Sequence, residues 1–260
     1  MSTKHRRRRE VAERERLFLE KTRELVCQEG LLRLQMARIA GACEYATGTL
    51  YQHFASKEDL IVALLTDRSE ERIQLFRRGA TWDASPRDRM FAFANADVVF
   101  LSRNPEYCRV ERFATTEVVW TSASKERRAA YLDSMAPIGG LALGIIEDAV
   151  QRGDLDLTDT SAEEIAVSLW TLVEGTHSLV QTEGSLELFA LHEPYRLMGR
   201  NIHRLLNSFG WKPFFDAGDA AACRQYADRV MAEVFGIDVA NRAAAQSDAK
   251  TKGFEESRRS

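Results

Sequence analysis

The stretch from Arg38 to Leu60, RIAGACEYATGTLYQHFASKEDL, constrains the fold of this chain more than any other part of the sequence. Apolar residues recur with helical spacing over Gln35–Cys43, a turn follows at Glu44–Tyr45, and helical spacing resumes over Ala46–His53. Ser56 then precedes an acid by three residues, which is the pattern of a capping box at the start of a new helix. Two short helices joined by a tight turn and followed by a third helix predict a helix–turn–helix unit.

The rest of the chain also shows helical spacing, and no strand-like alternation of any length is present. The helix ahead of the turn is predicted over Glu10–Glu29, because Gly30 is a natural stop signal. Pro137 is expected to kink or split one long helix. The fold class is therefore all-α, with a three-helix head at the N-terminus and a larger helical body. The further helices, the third of which can also be two short ones, are predicted over Lys57–Gly79, Arg87–Ser102, Glu106–Trp120, Ser124–Arg152, Ser161–Glu183, Pro194–Ser208 and Asp219–Phe235.

Charge is distributed unevenly along the sequence. Residues 1–59 carry 12 Lys and Arg against 9 Asp and Glu, whereas the remaining residues carry 24 against 30. The run Lys4–Arg9 is expected to be disordered when free. A cationic arm beside a helix–turn–helix favours binding to duplex DNA, because the arm releases counterions and can enter the minor groove. The alternative is a solvated leader that only aids solubility.

The sequence lacks the signatures of several other classes of protein. The four cysteines (Cys27, Cys43, Cys108 and Cys223) show no CxxC spacing and do not combine with histidines at metal-ligand spacing, so no disulfide framework and no metal site are predicted. Glycine-rich phosphate loops and the GxSxG and HExxH patterns are absent, so we predict no catalytic residues and no enzyme. A signal peptide and an apolar run near the ~18 residues of a membrane span are also absent, and a cytoplasmic, nucleoid-associated protein without membrane contact is expected.

The pattern IAxxA-x-hydrophobic-x-x-GTLYxxFxxKxxL in this stretch resembles the tetracycline-repressor (TetR) family of bacterial transcription regulators. The matching residues are Ile39, Ala40, Cys43, Gly48, Thr49, Leu50, Tyr51, Phe54, Lys57 and Leu60. The match covers about a tenth of the chain and is specific, because its aromatic, glycine and lysine positions must agree together. The resemblance implies a homodimer that binds a palindromic double-stranded DNA operator, most commonly as a repressor.

The exposed side of Ala46–His53 is predicted to enter the major groove, while Ile39, Leu50 and Phe54 pack inward. Side chains of threonine and glutamine suit base edges, hydroxyls and lysines suit phosphates, and a glycine lets the helix approach closely. Cys43 is interpreted as a small apolar core residue rather than as a redox switch. The predicted DNA contacts are Arg6, Arg7, Arg8, Arg9, Thr47, Gly48, Thr49, Tyr51, Gln52, His53 and Lys57.

Two positions depart from the family pattern. Glu44 stands at the turn position that glycine usually holds, and a positive φ there costs roughly 1 kcal/mol. Ala46 stands where a serine usually caps the second short helix, and a lost cap costs about 1 kcal/mol. Either Thr47 takes over the cap or the head is less rigid than in relatives. A helical small-molecule-binding or interaction protein with a degenerate head is therefore the alternative function.

The resemblance also implies an effector pocket in the body and a dimer interface on late helices. The predicted pocket residues are Phe93, Asp97, Phe100, Trp120, Met135, Trp170, Glu174 and His177, and an apolar or aromatic small-molecule effector is expected without any further cofactor. The predicted interface residues are Leu169, Leu172, Val173, Thr176, Val180, Tyr195, Met198, Ile202, Leu205 and Leu206, and the alternative is that these stripes face the monomer's own core. An effector that favours splayed heads would weaken DNA binding by roughly 1–3 kcal/mol, with Lys57–Gly79 as the lever.

These interpretations divide the chain into four parts. The predicted parts are a basic arm at 1–9, a helix–turn–helix DNA-binding domain at 10–59, a ligand-binding and dimerisation domain at 60–238, and a disordered tail at 239–260.

Overall fold

The chain is helical throughout the part that the structure, a computed structural model, describes: residues 3–237, with side chains from His5 onward. No strand occurs among these residues, which confirms the all-α fold class. Single 3-10 turns lie at Leu31–Arg33 and Glu187–Phe189. The predicted tail at 239–260 lies outside the described residues. The α-helices are α1 (Thr3–Glu29), α2 (Met36–Ala42), α3 (Thr47–Tyr51), α4 (Lys57–Asp67), α5 (Ser69–Ala80), α6 (Pro86–Arg103), α7 (Pro105–Ala114), α8 (Glu117–Ser122), α9 (Lys125–Gln151), α10 (Ala162–Val180), α11 (Pro194–Ser208) and α12 (Ala220–Phe235).

Contacts along the chain define two compact units. The first unit comprises the residues up to Gln74 together with Phe100–Gly139, and the second comprises Leu75–Val99 together with the residues from Gly140 on. The first unit therefore holds the helix–turn–helix, α4, α7 and α8, and the second holds α10, α11 and α12. The unit boundaries fall inside α5, α6 and α9. The predicted boundary between a DNA-binding domain and a ligand-binding domain, at residues 59 and 60, does not coincide with a boundary between the two units. That functional division remains a prediction.

The helix–turn–helix is held by an apolar core inside the first unit. Phe18, Ile39, Leu50 and Phe54 are all completely buried, as their positions in the sequence predict. Burial of side chains of this size contributes about 1.5–3 kcal/mol each, so the two short helices derive their stability from packing on α1. The end of α1 at Gly30, with φ 82°, confirms the predicted stop.

The starts of α10 and α4 show how far side-chain caps form at the helices of this chain. At α10 the Ser161 hydroxyl accepts a hydrogen bond from the Glu164 N–H, and the Glu164 carboxylate accepts one from the Ser161 N–H, which completes a capping box. At α4 only half of the predicted box forms. The Ser56 hydroxyl accepts from the Asp59 N–H (3.1 Å), but the Asp59 carboxylate accepts from the Ser124 N–H (2.7 Å) instead.

The first helix begins earlier than predicted, and the basic arm is not a disordered segment. α1 includes Arg6–Arg9 within one continuous helix from Thr3. Arginine has a high helix propensity, and Arg6 and Arg9 lie within 3.3 Å and 3.2 Å of the carboxylates of Glu10 and Glu13 one turn later. The prediction of disorder was wrong, because in a helix two of these arginines pair with glutamates one turn later.

Two predicted long helices also differ from the structure. The lever predicted over Lys57–Gly79 is interrupted at Arg68, where α4 ends and α5 begins. The Ser69 hydroxyl donates to the Thr66 carbonyl (2.7 Å), a local bond that competes with the helical pattern. In contrast, Pro137 does not split α9, which contains it as one continuous helix. By length and composition alone α9 could also span a membrane, which is weak evidence because helices of water-soluble proteins pass the same test.

Candidate nucleic-acid interface

The turn between α2 and α3 has the geometry that the sequence predicted. Glu44 has φ 61°, a left-handed conformation that glycine usually supplies. Its N–H donates to the Gly41 carbonyl (3.0 Å), and the Tyr45 N–H donates to the Ala40 carbonyl (2.9 Å). This pair of bonds is a Schellman motif, which closes the C-terminal end of α2 with a glutamate in the strained position. The Tyr45 ring packs edge-on against Phe18 at 5.4 Å, so the turn is fixed to α1.

The second short helix starts without a side-chain cap. Ala46 is the N-cap residue and Thr47 is already the first helical residue, so Thr47 does not take over the cap as one of our two alternatives required. The helix ends at Tyr51 and is therefore shorter than the predicted helix over Ala46–His53. Because it has only five residues and an uncapped start, α3 depends on its neighbours for its orientation.

Most of the predicted reading side chains lie on the outer side of α3. Tyr51 is 49% exposed, and Gln52 is exposed. Thr47 and Thr49 are half-buried. A Cβ added at Gly48 would meet no protein atom within 4 Å, so this side of the helix is open. Leu50 points to the opposite side and is completely buried. One face of α3 is therefore buried and the other is accessible to a partner molecule.

His53 is the exception among the predicted DNA contacts. Its side chain is only 4% exposed, and its ring packs against Phe18 with the centroids 5.3 Å apart. Burial lowers the pKa of His53, and the Glu15 carboxylate 3.9 Å from its Nδ1 acts in the opposite direction. The chain leaves the helix after Tyr51 and turns the His53 ring toward α1, so the ring is not on the exposed face of α3 and we do not propose it as a DNA contact.

The cationic residues among the predicted DNA contacts lie on α1 and α4, before and after α3 in the chain. Lys57 is the first residue of α4 and is half-buried, and the serine before it caps that helix. Arg6, Arg7, Arg8 and Arg9 are exposed on the first turns of α1. Cys43, inside the motif, is buried, and burial raises the pKa of its thiol, which agrees with the interpretation as an apolar core residue.

Sequence reasoning missed a contact between α9 and the segment that follows α3. The guanidinium of Arg127 in α9 donates to the Glu15 carboxylate (2.9 Å) and to the His53 carbonyl (2.9 Å). Glu15 and Arg127 are 112 residues apart in the chain. Helical spacing shows which face a residue occupies but not which distant helix meets it, so no local signal identifies this pair.

The predicted effector residues are divided between the two units. Phe100, Trp120 and Met135 belong to the first unit and the other five to the second. Phe100 is completely buried against Tyr107, with ring centroids 4.7 Å apart, as an ordinary core residue is. Trp170 is 66% exposed, so it is a surface residue of α10 rather than a wall of a closed cavity in the monomer.

Polar members of that set do come together inside the second unit. His177 is 2% exposed; its Nε2 lies 3.8 Å from the Asp97 carboxylate and its Nδ1 lies 3.2 Å from the Tyr195 hydroxyl. Glu174 lies one turn earlier on α10 and is half-buried. Phe93 packs edge-on against Phe76 with the centroids 4.7 Å apart. The second unit also has an open cleft of about 920 Å³, but acidic and hydroxyl residues around Asp156–Glu164 line it, and the predicted effector residues do not.

The predicted dimer stripes are largely used within the monomer. Leu169 and Val173 of α10 and Met198, Ile202 and Leu206 of α11 are all buried in the second unit, so for these the alternative of a monomer core is correct. The remaining members of the two stripes are half-buried. The apolar residues of α10 that are exposed are Val167 (53%), Trp170 (66%) and Leu179 (52%).

Comparisons with known proteins agree with this arrangement. Residues 18–64 match the sequence profile of the bacterial regulatory proteins of the tetR family. A comparison with curated proteins finds no match. A tetR-family regulatory protein from Rhodococcus RHA1 has a similar structure, with a TM-score of 0.56 and 19% identity over 76% of this chain and 97% of that chain.

Two further solved structures are similar. A TetR/AcrR-family regulator from Thermobifida fusca YX-ER1 gives a TM-score of 0.57 and 18% identity over 76% of this chain and 98% of that chain. The regulator FadR from Bacillus subtilis, solved with stearoyl-CoA, gives a TM-score of 0.56 and 14% identity over 73% of this chain and 96% of that chain. At such identities the likeness shows the fold.

Proposed function

We propose that this chain, which has the TetR-family fold and carries the family's N-terminal domain, is a ligand-responsive transcription regulator that binds a palindromic operator as a homodimer. The observation that carries the proposal is the open outer face of α3. There Tyr51 and Gln52 are exposed, Gly48 presents no side chain, and Leu50 anchors the opposite face in the core. A short helix presented in this way fits the major groove.

The roles of the individual side chains follow from their chemistry and their positions. Thr47 and Gln52 are assigned to base edges, because a threonine methyl fits thymine and a glutamine amide can bond adenine. The hydroxyls of Thr49 and Tyr51 and the Lys57 ammonium are assigned to phosphates, which fix the register of the protein on the duplex. Arg6–Arg9 are assigned to phosphates beside the site, as part of a helix rather than as an extended minor-groove arm.

We propose that the dimer forms through the exposed apolar side chains of α10 around Trp170. Val167 and Trp170, which lie one turn apart on α10, replace the buried residues of the stripes that the sequence predicted. An exposed tryptophan is the kind of residue that dominates interface energetics, and a dimer is needed to read two half-sites one helical turn apart.

The effector is proposed to bind in the second unit beside the buried polar cluster of Asp97, His177 and Tyr195. A few convergent polar groups among apolar side chains are typical of small-molecule sites, where they orient the ligand. FadR from Bacillus subtilis was solved with stearoyl-CoA, a ligand that carries a long acyl chain, and an apolar effector is proposed here also. Release of DNA on effector binding, as in a repressor, is the proposed mode.

Selection of bound duplexes from a random pool tests the proposed function. The full chain is expected to enrich a palindromic sequence, and Q52A is expected to relax the preference at one position of each half-site. A lost amide–adenine pair is worth about 1–3 kcal/mol of discrimination. Q28A is the matched control, because Gln28 is exposed on α1 and has no assigned DNA contact. Failure of the wild-type chain to enrich any sequence would support the degenerate-head alternative.

A further inference from the structure

The start of α9 is tied to the start of α4 by a buried carboxylate. The Ser124 N–H, at the N-terminal end of α9, donates to Oδ1 of Asp59 at 2.7 Å, and Asp59 is only 4% exposed. The Ser124 hydroxyl in turn accepts from the Arg127 N–H at 3.3 Å and so caps α9. The Asp59 carboxylate thus accepts a hydrogen bond from the start of another helix and does not complete the capping box of α4. Together these bonds hold the first turn of α9, and so the backbone of Arg127, against the start of α4.

Arg127 uses that position to hold two parts of the helix–turn–helix together. Its Nη1 donates to Glu15 of α1 at 2.9 Å, and its Nη2 donates to the backbone carbonyl of His53 at 2.9 Å. Its guanidinium carbon lies 5.0 Å from the centroid of the Phe54 ring. The side chains of Arg127 and Glu15 are 26% and 28% exposed, so these are partly buried, charge-assisted bonds. One planar group therefore joins α1 to the segment that leaves α3.

We infer that Arg127 is a positioning residue for DNA recognition, an inference that rests on the proposed function. α3 has five residues and no side-chain cap at its start, so its direction depends on its packing contacts, including those at its C-terminal end. The His53 carbonyl and the Phe54 ring provide that end, and Arg127 fixes both against α1. Arg127 acts through the backbone after α3, and replacing it does not change the side chains at 47 and 52 that are assigned to bases or the one at 51 that is assigned to a phosphate.

Hydrogen exchange and affinity measurements on the full chain test the inference. R127M is expected to accelerate exchange of the amides over 47–55 at least tenfold while most of the body exchanges as in the wild type. It is also expected to lower affinity for the duplex selected by the wild type about tenfold, with less than a threefold change for a scrambled duplex of the same length. R127K keeps the charge but cannot bridge two acceptors in one plane, so its effect should be intermediate.

K125M is the matched control, because Lys125 is exposed two residues earlier on α9 and its loss removes the same charge. It should change neither exchange nor the ratio of the two affinities. Unchanged exchange over 47–55 in R127M overturns the inference, as does an equal loss of affinity for both duplexes. If R127M fails to fold, R127K decides the matter by the same two measurements. If the wild type selects no duplex, the proposed function is contradicted. The exchange measurement on R127M then still tests whether Arg127 holds the segment after α3.

Discussion

At the scale of single residues, the head carries one strained position that a substitution can relieve. Glu44 adopts φ 61° at the end of α2, where a glycine would fit without strain. E44G is expected to raise the free energy of unfolding by about 1 kcal/mol, measured by urea denaturation. It should also strengthen DNA binding, because a negative charge is removed from the side of the molecule that holds α3.

A second substitution separates those two effects of Glu44. E44Q removes the charge but keeps a side chain at the strained φ, so it should strengthen DNA binding without the gain in stability. If E44G and E44Q shift the unfolding midpoint equally, backbone strain at this turn is not the cause.

A buried histidine in the second unit predicts how stability depends on pH. The His203 ring is 1% exposed and lies between Phe91 and Phe215, with ring centroids 4.5 Å and 4.0 Å away. Neither of its nitrogens has a hydrogen-bond partner among the described protein groups. Burial, and then the nearby Arg87 guanidinium, lower the pKa of His203 from 6.5 to about 4.

The sign of the effect follows from which state takes up the proton. As the pH falls from 6.5 toward 4, the unfolded chain binds a proton at this position and the folded chain does not. Stability is therefore lost over that window, by up to about 3 kcal/mol, and no more is lost below it. H203F keeps the stacked ring and removes the titrating group, so its unfolding midpoint should vary less between pH 4.5 and pH 7. H192Q, at an exposed histidine, should keep the wild-type slope.

At the scale of secondary-structure elements, the first turns of α1 carry the next prediction. Arg6–Arg9 form a charged extension of α1 rather than a free arm. Replacing all four by glutamine keeps a helix-favouring residue at each position and removes the cations. Each lost phosphate contact should reduce the slope of log affinity against log salt by about 0.9. A slope equal to that of the wild type would assign these arginines no role in DNA binding.

The elements also show how far the sequence alone can predict this molecule. The ends of helices that depend on local bonds were predictable: α10 begins after Ser161 and α1 ends at Gly30, as expected. The interruption at Arg68 was not predictable from the spacing of apolar residues, because that spacing continues across it. The local feature that accompanies the interruption is a hydrogen bond from the Ser69 hydroxyl to the Thr66 carbonyl. The hydrogen-bond partner of the Asp59 carboxylate was also not predictable, because that partner, the Ser124 N–H, lies 65 residues away in the chain.

The candidate site divides in the same way. The open face of α3 could be predicted from the residues, because the apolar positions fix which side is buried. The inward turn of His53 and the support from Arg127 depend on how distant helices meet α1, which local patterns do not encode. The effector residues were the least predictable set, because large apolar side chains in a helical body are mostly core.

At the scale of the whole molecule, the exposed tryptophan of α10 predicts the oligomeric state. W170S is expected to convert the proposed dimer to monomer at micromolar concentration, measured by sedimentation equilibrium, because the proposed interface loses its largest apolar residue. F214S is the control, since Phe214 is similarly exposed (65%) and lies outside α10. A dimer that withstands W170S and dissociates with F214S would place the interface elsewhere.

The central claim is that the outer face of α3 reads duplex DNA, and footprinting on the DNA that flanks this protein's own gene tests it most directly. The account predicts protection of a palindrome that weakens steeply as salt rises and that disappears at moderate salt when Thr47 and Gln52 are both replaced by alanine. No protection by the wild-type chain even at low salt, or a footprint that the double substitution leaves unchanged, would contradict it.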